Sequence, residues 1–223
     1  MNVADSTKLS AKQVTRRKAA DARRTPTPRA ATRAATQRTH TYRTRTNIAD
    51  ALAQLIREGN ESPTAAEVAR CARVALRTVY HHYGAMEAVY EEVIRRNEPQ
   101  VARLITTLEP RLPLHSRVRQ LVEQRCAVYQ YLAPLRRAVC ASHGARTSPA
   151  IRAAARRLEY VLARHASDTF GPELHGAPDR YGTLERIAAL TSYDMWNRLS
   201  HVQRLSSARV QRHMTVTVLR EFD

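Results

Sequence analysis

Apolar positions along this chain recur at helical spacing, and nowhere do they alternate for long. Ile48, Ala51, Leu52, Leu55 and Ile56 form one face of a helix that stops near Gly59. Val68, Ala69 and Ala72 give a short second helix its apolar face. After a turn at Ala72–Ala75, a third helix, Leu76–Tyr83, is expected to bury Leu76, Val79 and Tyr83. A fourth runs through Glu87–Asn97, with Pro99 placed to kink or end it. Val118, Leu121, Val122, Val128, Tyr129 and Leu132 mark a long helix from about His115, and Pro134 suits the first turn of a short helix through Cys140. Ser142–Thr147 reads as a loop. Ser148-Pro149 then opens a helix whose stripe is Ile151, Ala155, Leu158, Leu162 and Ala166, ended by Gly171-Pro172. Beyond a loop at Leu174–Pro178, one helix is predicted from about Asp179 to Val202. Ser206 caps a last one through Phe222, with Val210, Met214 and Val218 on one face. With no sustained alternation and only 6 Gly, the predicted fold class is all-α.

Local chemistry sharpens the second and third helices. Thr64 followed three residues on by Glu67 is a capping box, in which each side chain satisfies a free backbone N–H of the first turn. Two short helices joined by a tight turn form a helix-turn-helix. The polar face of the second carries Arg77, Thr78, Tyr80, His81 and His82. Hydroxyls and cations gathered there suit phosphates and base edges. Arg77 and His81 lie four apart on one face and are the candidates for base edges.

Extended to Asn47–Val93, the segment resembles the DNA-binding domain of the TetR family of bacterial repressors. The matching residues are the apolar first helix, Gly59, Thr64, Val68-Ala69, Ala72-Arg73-Val74-Ala75, Thr78-Val79-Tyr80, Tyr83 and Ala85-Met86-Glu87-Ala88-Val89. Three positions depart from the family pattern. Arg73 replaces the usual turn Gly, Ala75 the usual Ser cap, and Met86 a Lys that contacts phosphate in the family. The resemblance implies a three-helix helix-turn-helix DNA-binding domain over 44–98 and a helical effector-binding and dimerisation domain over 99–223. It implies double-stranded DNA as partner, with Thr64, Arg77, Thr78, Tyr80 and His81 at the DNA and Thr78 and Tyr80 on phosphates. It implies a homodimer built by the last two helices. Leu184, Ile187, Thr191, Met195, Leu199 and Val202 make one face there, and Leu190, Tyr193 and Trp196 widen the apolar surface. It also implies a cavity beneath helix four for an unknown small molecule. Candidate contacts are Tyr129, Tyr160, Met195 and Trp196, with His115, Arg125 or His165 as polar groups.

Charge adds a second indication of nucleic acid. The chain has 37 Lys+Arg against 20 Asp+Glu, a net +17. The first 45 residues hold 12 basic and 2 acidic side chains, more than half of the excess. That stretch is rich in Thr, Ala and Arg and nearly free of large apolar residues. Residues 1–43 are therefore expected to be a disordered basic arm able to lie along phosphates or enter an A·T-rich minor groove.

Other classes find little support. No metalloprotease, nucleophile-elbow, P-loop or dinucleotide motif occurs, so no enzyme, cofactor or metal is expected. No apolar run is long enough to span a membrane, and the N-terminus lacks the apolar core of a secretory signal. Cys71, Cys126 and Cys140 are odd in number and widely spaced, as reduced thiols of a cytoplasmic protein would be. The reading favoured is a ligand-responsive regulator, a repressor that binds a palindromic operator as a dimer. The alternatives are a sequence-tolerant nucleoid-type DNA-binding protein without effector, and a helical small-molecule-binding protein that has lost operator binding.

Overall fold

The structure, a computed structural model, describes residues 28–222, with side chains from Thr36 onward. Its order is α1 (Pro28–Arg57), α2 (Ala65–Cys71), α3 (Leu76–Tyr83), α4 (Met86–Leu104), α5 (Leu114–Ala141), α6 (His143–Thr147), α7 (Pro149–Thr169), α8 (Gly171–Gly176), α9 (Arg180–Leu190), α10 (Tyr193–Asn197) and α11 (Ser207–Leu219). A π-helical turn, Arg198–Val202, continues α10. The described residues contain no strand, and no helix among them is long and apolar enough to cross a membrane.

The chain divides into two compact units, one ending at Thr44 and one beginning at Arg45. In the first, residues 28–43, expected to be disordered, are helical. Ala, Arg and Gln favour helix, and once Pro28 has opened it no Pro or Gly intervenes before Gly59. The rest of the expected arm, residues 1–27, lies outside the described residues.

The second unit holds two apolar clusters. One gathers Ile48, Leu52 and Ile56 of α1, Val68 and Ala69 of α2, Val79 and Tyr83 of α3, and Val89, Tyr90 and Val93 of α4. It extends past residue 98 to Leu135 and Ala138 of α5, Ala145 of α6 and Ile151 of α7. The other is built on Leu121, Val122, Val128 and Tyr129 of α5, with Leu162 and Phe170, Ile187, Trp196 and Met214 around them. Helix α4 joins the two, since its first half packs in one and Val101 in the other.

Polar bonds set the register of three central helices. Ser148 Oγ donates to Glu91 at 2.7 Å, Arg157 to Glu98 at 3.1 Å, and the His165 ring meets the Thr106 carbonyl at 3.0 Å, so α7 runs parallel to α4. The Gln124 side-chain carbonyl accepts from Thr106 N–H at 2.9 Å, while Tyr131 donates to Asn97, so α5 runs antiparallel to both.

Several expected boundaries move. Pro134 and Pro99 lie inside α5 and α4. Buried neighbours, Val93 and Val101 in α4 and Ala133, Leu135 and Ala138 in α5, hold the turns that each ring deprives of a hydrogen bond. The loop expected at Ser142–Thr147 is the short helix α6, capped by Ser142, and the next loop is largely replaced by α8. The single helix expected over Asp179–Val202 is broken at Thr191–Ser192. Thr191 turns its hydroxyl back to the Ile187 carbonyl at 2.8 Å, Tyr129 donates to the Thr191 carbonyl at 2.7 Å, and Ser192 caps α10 on Met195 N–H. Local side-chain bonds here compete with continuation of the helix.

Most of the face expected to dimerise is turned inward. Ile187, Thr191, Tyr193, Trp196 and Leu199 are buried within this chain, whereas Val202 is 67% exposed. An apolar surface wider than one stripe serves two intramolecular neighbours as readily as a partner subunit.

Candidate functional site

Helix α2 starts as its sequence dictates. Thr64 Oγ1 accepts from Glu67 N–H at 3.2 Å, and Glu67 Oε2 accepts from Thr64 N–H at 2.8 Å and from the Thr64 hydroxyl at 2.7 Å. These bonds, the backbone one first, hold the Glu67 carboxyl below its ordinary pKa. Thr64 is exposed, and its hydroxyl proton is given to Glu67 while its oxygen keeps a second lone pair towards solvent.

The turn into α3 is tight. Arg73 sits at φ 55, the left-handed region, and Val74 N–H reaches the Ala69 carbonyl at 3.0 Å. A side chain occupies a backbone position that glycine fills without strain. Ala75 is the N-cap of α3 and offers no side-chain bond. At the other end Gly84, at φ 75, lets the chain turn into α4.

Two anchors fix the orientation of α3. Val79 is fully buried and Tyr83 nearly so. The Tyr83 hydroxyl donates to the Arg45 carbonyl at 2.8 Å, and the Arg45 guanidinium lies 4.2 Å from the Tyr83 ring centroid while donating to the His82 carbonyl. Burial raises the Tyr83 pKa, so the phenol stays protonated as a donor. Opposite these anchors Arg77, Tyr80 and His81 are exposed and Thr78 half-buried. Four of the five expected DNA residues therefore share one short helix, its polar side turned to solvent, with Thr64 at the head of the helix before it. Leu76, expected inside, is 44% exposed: at the first position of α3 it lies beyond the core that takes Val79 and Tyr83.

A cavity of about 470 Å³ lies among α4, α5, α6 and α7. Ile94, Val101 and Ala102 of α4 and Ile105 just beyond it line one side, Leu132, Leu135 and Val139 of α5 another, and Ile151, Ala154, Ala155, Leu158 and Val161 of α7 a third. Small side chains leave the space: Ala102 stands on one wall and Ala154 and Ala155 on another. Arg136, Arg146, Arg152 and Arg157 also line it, against one carboxylate, Glu98.

None of the four expected effector residues lines this cavity. Tyr129 and Trp196 are buried and form an aromatic cluster with Tyr193, ring centroids 5.6–6.1 Å apart. Met195 packs beside them. Tyr160 is 67% exposed on the outer side of α7. The three polar candidates are also elsewhere. His115 is exposed on the first turn of α5, and Arg125 is buried against the Leu162 carbonyl. His165 is held by Thr106, its pKa lowered by burial and then by Arg125. Aromatic character pointed to packing. The signal that would have found the cavity is the run of alanines on α7 flanked by arginines.

No protein-family model matches the chain, and no curated protein sequence does. Solved structures do. A protein of Mesorhizobium loti MAFF303099 assigned to the TetR-family transcriptional regulators superposes with a TM-score of 0.56 at 20% identity, over 81% of this chain and 96% of that one. GusR of Salmonella enterica superposes with a TM-score of 0.55 at 19% identity, over 80% of this chain and 95% of that one. The chain thus has the all-α fold of a TetR-type regulator, and at these identities the likeness is one of fold.

Proposed function

We propose that this chain, with the fold of a TetR-type regulator, is a DNA-binding regulator of transcription. In this reading it acts in the cytoplasm as a homodimer, reads a two-fold symmetric operator with α3, and is a repressor released by a small molecule in the α4–α5–α7 cavity. Residues 44–98 form the DNA-reading part and 99–223 the effector-binding and dimerising part. The observation that carries the reading is the helix-turn-helix itself: α3 is locked from behind by Val79, Tyr83 and Arg45, and offers Arg77, Thr78, Tyr80 and His81 outward. A rigid polar face of that kind is what major-groove readout requires. Arg77 and His81 take base edges, Thr78 and Tyr80 take phosphates, and Thr64, which caps α2, lies at the DNA with them.

Selection of bound fragments from random DNA tests this reading. The expected result is one palindromic site, bound at least ~10³-fold tighter than unrelated DNA at physiological salt. Arg77→Ala should weaken it by about 1–3 kcal/mol and relax one position. The uncapped, left-handed turn at Arg73–Ala75 favours a helical small-molecule-binding protein that has lost operator binding, for which selection recovers no DNA site. The sequence-tolerant alternative draws instead on the basic excess of the first 45 residues and on Met86 in place of a Lys. Under it, selection returns no common site and Arg77→Ala weakens all DNA alike.

A further inference from the structure

We infer that the occupant of the α4–α5–α7 cavity is an amphipathic anion: an unbranched or aromatic apolar body of about 15 non-hydrogen atoms ending in a carboxylate or phosphate. In taking that occupant as the effector, we rest on the regulator reading above.

The two ends of the cavity differ in chemistry. The register bonds place Val101 of α4 and Ile105 just beyond it beside Leu158 and Val161 of α7, so that end is lined by apolar side chains past the Arg157–Glu98 pair. The other end is where the second half of α5, α6 and the start of α7 meet. Arg136, Arg146 and Arg152 line that end, Arg136 half-buried and the other two exposed.

These three cations lack what an arginine beside an apolar wall normally has. Arg157 is paired with Glu98 at 3.1 Å, the one carboxylate of the lining. No carboxylate lies within ion-pair distance of Arg136, Arg146 or Arg152 among the described residues. Arg136 is held by the Tyr193 ring, 3.9 Å from its centroid, and the Arg146 side chain has, among the described residues, only the His143 ring nitrogen at 3.5 Å. The Arg152 side chain makes no hydrogen bond or ion pair among the described residues, and only its backbone N–H is engaged, on the Ser148 carbonyl. Like charges left together without a counter-charge repel, and a bound anion relieves this. A guanidinium fork also accepts carboxylate or phosphate oxygens two at a time. The volume, about 470 Å³, gives the body its size, at about 30 Å³ for each non-hydrogen atom as in liquid water. A neutral apolar ligand would leave the arginines unused, and a cation would add to their repulsion.

Calorimetric titration of the full chain without DNA tests the assignment, using dodecanoate, dodecyl phosphate, dodecanol and dodecyltrimethylammonium below their micelle concentrations. Dodecanoate or dodecyl phosphate should bind at least ~10-fold tighter than dodecanol, with the ammonium weakest; which of the two is tighter identifies the head group. Arg152→Gln, which removes no side-chain bond among the described residues, should lose most of that preference without moving Tm. Arg136→Gln should lose the preference too, with a small fall in Tm as its contact with the Tyr193 ring is lost. Cys140, exposed and part of the lining, supplies an independent report. Its modification by a maleimide, located by peptide mass, should slow at least fivefold when dodecanoate is bound.

Equal or tighter binding of dodecanol or the ammonium overturns the assignment. So does absence of binding by all four, an anion preference that survives both arginine substitutions, or an unchanged rate at Cys140. Because no DNA is present, these failures are separable from failure of the regulator reading, which shows itself in the site selection.

Discussion

Arg73 and Ala75 carry the clearest local departure from what their turn requires. A left-handed backbone costs a non-glycine residue about 1–2 kcal/mol, and glycine returns part of that through the larger freedom of its unfolded chain. Arg73→Gly should therefore stabilise the protein by about 0.5–1 kcal/mol. Ala75→Ser would place an oxygen before the free N–H groups of α3, worth about 1 kcal/mol. Both gains are measurable as midpoint shifts in urea denaturation at unchanged slope. Neither gain in either variant would mean that α3 is held wholly by Val79, Tyr83 and Arg45. The same turn then acts as a presenter of α3 rather than as a contributor to its stability, which bears on how rigidly Arg77 meets a base.

Between elements, two carboxylates bear more than their neighbours. Arg117 is buried where the α4–α5 connection, the end of α7 and α8 meet. It donates to the Leu112 carbonyl at 2.9 Å, to the Thr169 carbonyl at 2.7 Å and to both Glu173 oxygens. Glu173→Ala would leave that guanidinium without a counter-charge. It should cost about 3 kcal/mol, the low end for a broken buried pair because two carbonyl acceptors remain. Glu92 accepts from Arg95 and Arg96, and Arg96 also reaches Asp50 of α1 at 3.1 Å. The hydrogen bond from Arg95 first, and that from Arg96, bring Glu92 down to about 2 from an ordinary 4.5, and Arg117 likewise lowers Glu173. A carboxyl whose folded pKa is depressed stabilises the fold above its unfolded pKa and loses that contribution as pH falls. Stability should thus hold near neutrality and decline from about pH 4.5 towards pH 2. Urea midpoints across that range should fall less steeply in Glu92→Gln.

For the whole molecule, the open question of assembly narrows to the outer surface of the last helices. Charges placed on Ile187 or Trp196 would destroy the core, because both are buried within the chain. The outward side of the same region keeps Val202 and Val216, 67% and 44% exposed. If the proposed homodimer uses it, Val202→Glu with Val216→Glu should yield a folded monomer by sedimentation. Operator binding should then weaken, because a two-fold site needs two linked readers. A dimer that survives both charges places the interface on another face. The basic arm acts at the same level: if several of its cations engage phosphates, deleting residues 1–27 should flatten the salt dependence of binding, by about 0.9 in log–log slope for each phosphate released.

How much of this was readable in advance follows from the range of the forces involved. Helical class, the capping box at Thr64 and Glu67, the turn at Ala72–Ala75 and the composition of the polar face of α3 all stand in the chain itself. They depend on side chains within four residues of one another, where spacing and capping chemistry decide. Even the strained φ at Arg73 was visible as a missing glycine. What lay beyond reach was set by neighbours distant in the chain. Pro99 and Pro134 stay helical because packing outweighs a lost bond. The helix after Asp179 breaks where Tyr129, some sixty residues earlier, meets the Thr191 carbonyl. The aromatic residues Tyr129 and Trp196 fill the core, while the cavity opens where alanines of α4 and α7 line the space beside α5. An apolar position says only that it will be covered; which surface covers it, a neighbouring helix, a second subunit or a ligand, is decided when elements far apart in sequence compete for the same contact.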